Sequence, residues 1–455
     1  MISYISLFKI CIPFQKGYFW RIKIISMTDF IKTKYHLQSL CCGESFNDQN
    51  WELNCPNNDE PSLIRAIYNK KQLIVNESMP GLYKFSSWLP IDKILKGSAA
   101  PITFKSIGLA KKLGLTNLYI TFNGYWPKKG AFMQTGTFKE CEAYSVCARF
   151  NNNNNGVMVV ASAGNTARAF AKVCSENKIP VLICVPKDNL NALWFAQEID
   201  PCVKLIAAES GGDYFDAIHL SNLACHIDGF YPEGGAKNIA RRDGMGTTVL
   251  SAVTTIGKIP DLYFQAIGSG TGAIAAWEAN LRFLEDGRFG STKMKLMLSQ
   301  NAPFLPIKEA WDADSRQMLP MNDEEARKQV EEIDAKVLSN RKPPYSIIGG
   351  LYDAMKEAGG EIFAVTNQES AEAAHLFSET EGNDIEPAAA VAVASLIQAV
   401  NEGKINIDAT IMLNITGGGI EKFKRENKIH YLEPSLVFPL NPDPKSVFEK
   451  IKLLF

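Results

Sequence analysis

Two open, mainly parallel α/β domains around a cleft are the fold class this sequence predicts, and three observations predict it. Apolar runs of strand length recur along the 455 residues, 156–161 and 180–185 among them. Segments with helical spacing lie between these runs, the alternation expected of a parallel sheet covered on both faces. Loops rich in glycine and threonine follow several strands, at the carboxyl edge where open α/β sheets bind ligands.

Taken in order, a short helix at 107–113 leads into a strand at 117–122, and 123–130 is a loop by composition. A helix follows Lys139, with Ala143, Val146, Cys147 and Phe150 at helical spacing. The asparagine run 151–155 is a solvated loop tip. Strands are then expected at 156–161, 179–185 and 202–207, with helices at 166–178, 189–198 and 213–227. The pattern goes on with helix 246–256, strand 262–267, helix 272–284 and strand 294–299. After a polar, irregular stretch at 316–344 come strand 361–365, helices 370–377 and 387–400, and strand 410–415.

Four segments result: an upstream extension at 1–26, an N-terminal arm with a degenerate cysteine knuckle at 27–82, a large domain of 83–124 plus 245–455, and a small domain of 125–244. The first residues are apolar but broken by Lys9, Lys16, Arg21 and Lys23, so they make no membrane span, and Met27 is the expected start. Cys41, Cys42 and Cys55 lack the paired CxxC spacing of a zinc ribbon, and no metal is assigned. Ten cysteines scattered through apolar stretches read as reduced thiols of a cytoplasmic protein.

Forty-eight basic and 49 acidic residues leave a net charge of −1, so no global field attracts nucleic acid or an anionic membrane. Anion binding must then be local. The five histidines show no metal-ligand pairing, and no Gly-x-Ser-x-Gly elbow is present.

Chemistry concentrates in four places. Lys139 sits where the turn Gln134-Thr135-Gly136-Thr137-Phe138 gives way to a helix. An amine at a helix start is kept neutral by the dipole and lies near backbone donors that suit a phosphate, the two needs of a Schiff-base lysine. The loop Ser162-Ala163-Gly164-Asn165-Thr166 offers backbone donors for a carboxylate and one side-chain amide. The loop Gly268-Ser269-Gly270-Thr271-Gly272 lets the backbone approach a phosphate and adds two hydroxyls; no Gly-Lys-Ser/Thr follows, so it is no Walker loop. Thr416, in a run of three glycines closing the last strand, offers a hydroxyl to the crevice.

A lysine, an asparagine loop, a phosphate cradle and a C-terminal Thr-Gly turn, in that order, resemble the pyridoxal-phosphate enzymes of the tryptophan synthase β fold (fold type II), and within them the threonine synthase family. The resemblance runs from about Tyr83 to Gly419. It implies that the cofactor lies in the cleft between the two domains, with Lys139 in Schiff-base linkage to it. It implies also that Asn165 bonds the ring oxygen, that Gly268, Ser269, Gly270, Thr271 and Gly272 cradle the phosphate, and that Thr416 faces the pyridine nitrogen. Ser162, Ala163, Gly164 and Thr166 would take the substrate carboxylate.

The chain also departs from that family, in 125–133, in Glu140-Cys141, in Arg168, and in the cations Lys237, Arg241 and Arg242. These departures are similar to the cysteate-forming branch, in which O-phospho-L-serine and sulfite give L-cysteate and phosphate on the way to coenzyme M. Arg168, Lys237 and Arg241, with Arg242 beside them, are the candidates for binding phosphate and sulfite. The expected partners are these small molecules and further copies of the chain, with neither nucleic acid nor membrane. Two other readings stay open: threonine synthesis from O-phosphohomoserine or another pyridoxal-phosphate β/γ-replacement, and a non-catalytic ligand binder, against which intact Lys139, Asn165 and Thr416 argue.

Overall fold

The computed structural model describes residues 30–49, 51–151, 156–162 and 164–455, and the backbone of an antiparallel pair, Leu7–Ile10 and Arg21–Ile24. The expected start at Met27 and the position of Ala163 lie outside the described residues.

Two sheets organise the chain. The larger runs Glu361–Val365, Lys295–Asn301, Leu262–Ala266, Thr410–Ile415, Asn117–Phe122 and Ile102–Lys105, parallel throughout except for the last pair. The smaller, all parallel, runs Phe230–Pro232, Val157–Ala161, Val181–Pro186, Val203–Ala208 and Leu436–Phe438. Central strands such as Leu262–Ala266 and Val181–Pro186 are buried along their whole length, which is why the second reads as an unbroken apolar run and the first is broken only by the buried Gln265. The helix Pro387–Asn401, alanine-rich and apolar around most of its girth, packs into the same core as Phe264, Met297 and Leu413.

Between the sheets lies the helix Lys139–Arg149, with residues 140–149 all buried. It packs on Asn165–Asn177 and on Ile239–Ile256. The latter begins at Ile239 rather than at the expected Gly246. Gly244 and Gly246 look like helix breakers in sequence, but a Cβ at Gly244 would stand 2.4 Å from the Cys141 carbonyl oxygen and 2.7 Å from Ser145 Cβ. Gly244 therefore lets two helices approach closely, and the Asn238 side chain caps the true start by accepting from Ala240 N–H at 3.0 Å. The boundary expected at 244/245 thus falls inside this helix.

Three other segments differ from expectation. The helix expected at 189–198 is a 3₁₀ turn, Lys187–Ala192, followed by the short strand Trp194–Phe195 paired with His430–Tyr431. Its asparagines favour turns, and the tertiary pairing of Trp194 outweighs its helical spacing. The N-terminal arm contains the antiparallel sheet Ser45–Phe46, Tyr35–Ser39 and Ile64–Tyr68, whose Leu37, Ile64, Ala66 and Tyr68 join the main core. In it the Cys42 and Cys55 sulfurs and a Glu44 carboxylate oxygen lie within 4.8 Å of one another. Finally, Leu436–Phe438 returns to the smaller sheet, so the chain's end packs there and not with the larger domain, to which its sequence position pointed. A three-residue strand flanked by Pro434 and Pro439 carries too little period to be read.

Candidate active site

Lys139 is the first residue of its helix, and the turn before it is built around Gly136. That residue has φ +70°, and a Cβ on it would sit 2.6 Å from Ile420 Cγ1. The turn is laced to the last strand's loop: Phe138 N–H donates to the Thr416 carbonyl at 2.9 Å and Gly418 N–H to the Gly136 carbonyl at 2.9 Å. Lys139 and Thr416, far apart in sequence, are thereby fixed together.

The Lys139 amine donates to Glu142 Oε2 at 3.3 Å, one helical turn on. Its side chain is 20 % exposed, yet burial brings the amine's pKa below the usual lysine range, with Arg241 pushing the same way and Glu142 pulling back. Glu142 is wholly buried. Its other oxygen accepts from Thr166 Oγ1 at 2.8 Å and from Arg241 Nη2 at 3.1 Å. Arg241 Nη1 donates to Glu233 Oε2 at 2.5 Å, while its Nε is buried with no partner among the described residues. Burial raises the Glu233 carboxyl against the pull of Arg241. One amine, two carboxylates and a guanidinium with a spare donor thus meet at the foot of the cleft.

A second cluster centres on Asn165. Its amide donates to Glu386 Oε2 at 3.0 Å, and its carbonyl accepts from Arg168 Nη2 at 2.8 Å. Arg168 is almost fully buried and spends its other donors on the Thr135 carbonyl, at 3.1 and 2.9 Å, and the Ala192 carbonyl, at 2.7 Å. It stacks 4.3 Å over the Trp194 ring and lies 3.5 Å from Glu386 Oε1. Burial pushes the Glu386 carboxyl up to about 7, against the pull of Arg168 and Asn165. Glu386 N–H donates to the Gly417 carbonyl at 3.0 Å, so this cluster too is tied to the Thr416 turn.

The loop Gly268–Gly272 precedes the sixteen-residue helix Thr271–Asp286, whose first turn carries no acidic residue. Gly270, at φ +76°, turns the chain into that helix. The Ser269 and Thr271 hydroxyls lie 2.9 Å apart. Phe138, beside Lys139, packs on Ala275 one turn into the helix and on Met245, which sets the loop next to the lysine.

The remaining candidates scatter. Ser162 Oγ accepts from Gly164 N–H at 3.0 Å inside its own loop, and Gly164 carries φ +156°. Lys237 is bonded to Asn54 Oδ1 at 2.8 Å in the N-terminal arm and takes no part in the Lys139 cluster. Arg242 is wholly buried on Glu278 at 2.9 Å, which also takes Arg65 at 3.2 Å. Arg241 and Arg242 are neighbours in sequence that face different clusters. Glu142, Glu233 and Glu386 do not stand out in the sequence. A carboxylate three residues after a helix-start lysine is the one signal available there for Glu142.

The donor set fits a pyridine aldehyde phosphate: an amine of lowered basicity, an amide, a glycine turn with two hydroxyls at the start of a long helix, and a threonine closing the opposite side. A sequence profile of the pyridoxal-phosphate dependent enzymes matches residues 108–417. Maize serine racemase superposes with a TM-score of 0.52 at 14 % identity, covering 70 % of this chain and 88 % of its own. A pyridoxal 5'-phosphate-dependent aspartate racemase does so at 0.52 and 15 %, covering 71 % and 92 %. Fold and site together define a pyridoxal-phosphate dependent enzyme of fold type II.

Nearer relatives narrow the class. The cysteate synthase of Methanosarcina acetivorans is 47 % identical over 92 % of this chain and all of its own length. That of Methanocorpusculum labreanum is 48 % identical over 86 % of this chain and 94 % of its own. The chain belongs to the cysteate synthase family. Among the described residues no helix is long and apolar enough to cross a membrane.

Proposed function

We propose that this enzyme makes L-cysteate and phosphate from O-phospho-L-serine and sulfite, in the cytoplasm, as a step toward coenzyme M. The observation that carries the reading is Arg241: a guanidinium held 3.1 Å from Glu142, itself 3.3 Å from the Lys139 amine, with a buried Nε that no group among the described residues satisfies. Phosphate leaves and sulfite enters as anions, and such a donor suits either. The unbridged thiols of the described cysteines agree with a reducing compartment.

In this reading Lys139 is the residue that carries the cofactor, Gly268–Gly272 with the start of helix Thr271–Asp286 hold its phosphate, Asn165 bonds its ring oxygen, and Thr416 faces its ring nitrogen. The cofactor supplies an electron sink for the carbon that loses the α-proton. Lys139 Nζ takes that proton and returns it after sulfite has replaced phosphate at the β-carbon. Arg168 fixes the orientation of Asn165 and of Glu386 through its bonds to both. Arg241 Nε binds the anionic group. The buried helices around Lys139 keep water from the reacting carbons.

Phosphate release from O-phosphoserine with and without sulfite, measured beside O-phosphohomoserine, tests the reading. Sulfite-dependent release from phosphoserine with cysteate as product supports it. Turnover of phosphohomoserine alone, giving threonine, replaces it with threonine synthesis.

A further inference from the structure

Glu142 takes the lysine amine's hydrogen bond from inside the protein. Its side chain has no exposed surface, which is costly for a carboxylate unless it is both paired and hydrogen-bonded. Both of its oxygens are engaged. Oε2 faces Lys139 Nζ at 3.3 Å, and Oε1 is held by Thr166 Oγ1 at 2.8 Å and Arg241 Nη2 at 3.1 Å. Thr166 and Arg241 come from two different helices, Asn165–Asn177 and Ile239–Ile256, so the carboxylate is gripped from both sides of the lysine helix.

We propose that Glu142 is a positioning residue for Lys139, receiving the ammonium that forms when the lysine takes the α-proton and holding it aligned for the return of that proton. The inference rests on the reading of Lys139 given above. In the forward transfer the substrate Cα–H bond breaks, the electron pair stays with carbon, and neutral Nζ gains a third N–H. Glu142 itself gains no proton; it accepts a hydrogen bond from the charged amine, and that bond is stronger to the ammonium than to the amine. In the reverse transfer the same N–H is given back to Cα.

Among the described residues, the charged groups that act most strongly on Nζ come from three elements. Glu142 faces it from its own helix, Arg241 from Ile239–Ile256 and Glu233 from the loop after Phe230–Pro232. The buried Tyr214 phenol feels the charges of Arg241, Glu233 and Glu142 in turn. Glu142 and Glu233 favour the ammonium, and Arg241 disfavours it. Removing the Glu142 charge leaves Arg241 as the stronger neighbour and makes Lys139 a weaker base.

The experiment uses holoenzyme carrying Glu142→Gln and, separately, Glu142→Asp. For the Gln variant the expected result is retained cofactor absorbance, little change in KM for phosphoserine, and kcat lower by roughly tenfold or more. The acidic limb of its kcat profile moves to lower pH, because the lysine then loses its proton more readily. The Asp variant restores the limb toward its original position. A cofactor-loaded Gln variant with unchanged kcat and pH profile overturns the proposal, as does an Asp variant that behaves like Gln. Loss of cofactor from both variants assigns Glu142 to holding the fold and overturns it too. Lys139→Ala separates the premises: if that variant still carries covalently bound cofactor, the reading of Lys139 fails whatever Glu142 does.

Discussion

Phe138 N–H donates to the Thr416 carbonyl at 2.9 Å, so the residue before the lysine is bonded to the turn that closes the last strand of the larger sheet. A second bond, Gly418 N–H to the Gly136 carbonyl, makes this a two-bond strap between loops far apart in the chain. The position of Lys139 relative to Thr416 is thereby a property of the backbone, and side-chain changes around it act on a fixed frame.

Gly417 tests that frame. A Cβ there would stand 2.4 Å from Glu386 Oε2 and 2.9 Å from the Gly136 carbonyl oxygen. Gly417→Ala is expected to displace Glu386 and loosen the lysine turn. Cofactor affinity, followed by absorbance titration, should weaken by roughly 10–100-fold while the circular dichroism spectrum is kept.

Neighbouring arginines should fail differently. Arg242→Ala leaves Glu278 short of a partner in the core and is expected to cost about 3–5 kcal/mol of stability, read by denaturant unfolding of the cofactor-loaded protein. Arg241→Ala should instead raise KM for phosphoserine or sulfite by roughly tenfold or more, because its spare Nε is the anion donor proposed above. Equal kinetic effects from both substitutions would contradict the division.

Arg168 offers a fork that lysine cannot copy. Its guanidinium joins the Thr135 and Ala192 carbonyls, Asn165 and Glu386 while stacked on Trp194. Arg168→Lys is expected to retain the charge but lose the bidentate grip, lowering cofactor affinity and stability together by about 2–3 kcal/mol in thermal unfolding. A lysine variant matching the original in both would remove this role.

Glu386 should titrate near neutrality, since burial pushes its carboxyl up to about 7. A carboxyl whose folded pKa lies above its unfolded value holds a proton in the folded state that the unfolded chain has already released. Its favourable contribution is complete below about pH 4.5 and is lost as pH rises toward 7. Glu386→Gln should flatten the fall in melting temperature across that window and remove a titration near pH 7 from the absorbance of bound cofactor.

How much was legible in the sequence follows from what each signal depends on. Strands Val157–Ala161 and Val181–Pro186 were readable because parallel strands buried on both faces are apolar without interruption. The lysine, asparagine loop and glycine loops were readable through their order along the chain, since each alone is also what an ordinary turn or helix cap needs. The strand Ile64–Tyr68 was hidden because Ile67 breaks the apolar–polar alternation that Ile64, Arg65 and Ala66 begin. The start of helix Ile239–Ile256 was hidden because glycines needed for close packing look like breaks. Glu142, Glu233 and Glu386 were hidden for a different reason: buried carboxylates look like surface charge until the partners that bury them, Arg241 and Arg168, are placed in space. Arg168 stands out in the sequence by its charge, whereas its contacts tie it to carbonyls and to Asn165.

The roles of Glu142, Asn165 and Thr416 all depend on Lys139 carrying the cofactor. Borohydride reduction of the holoenzyme, followed by digestion and mass spectrometry, locates the linkage. One pyridoxyl-phosphate adduct is expected on the Lys139 side chain in the peptide spanning the helix start, and none after Lys139→Ala. An adduct on another lysine, or sulfite-dependent turnover by the Lys139→Ala protein at an undiminished rate, would contradict that role of Lys139.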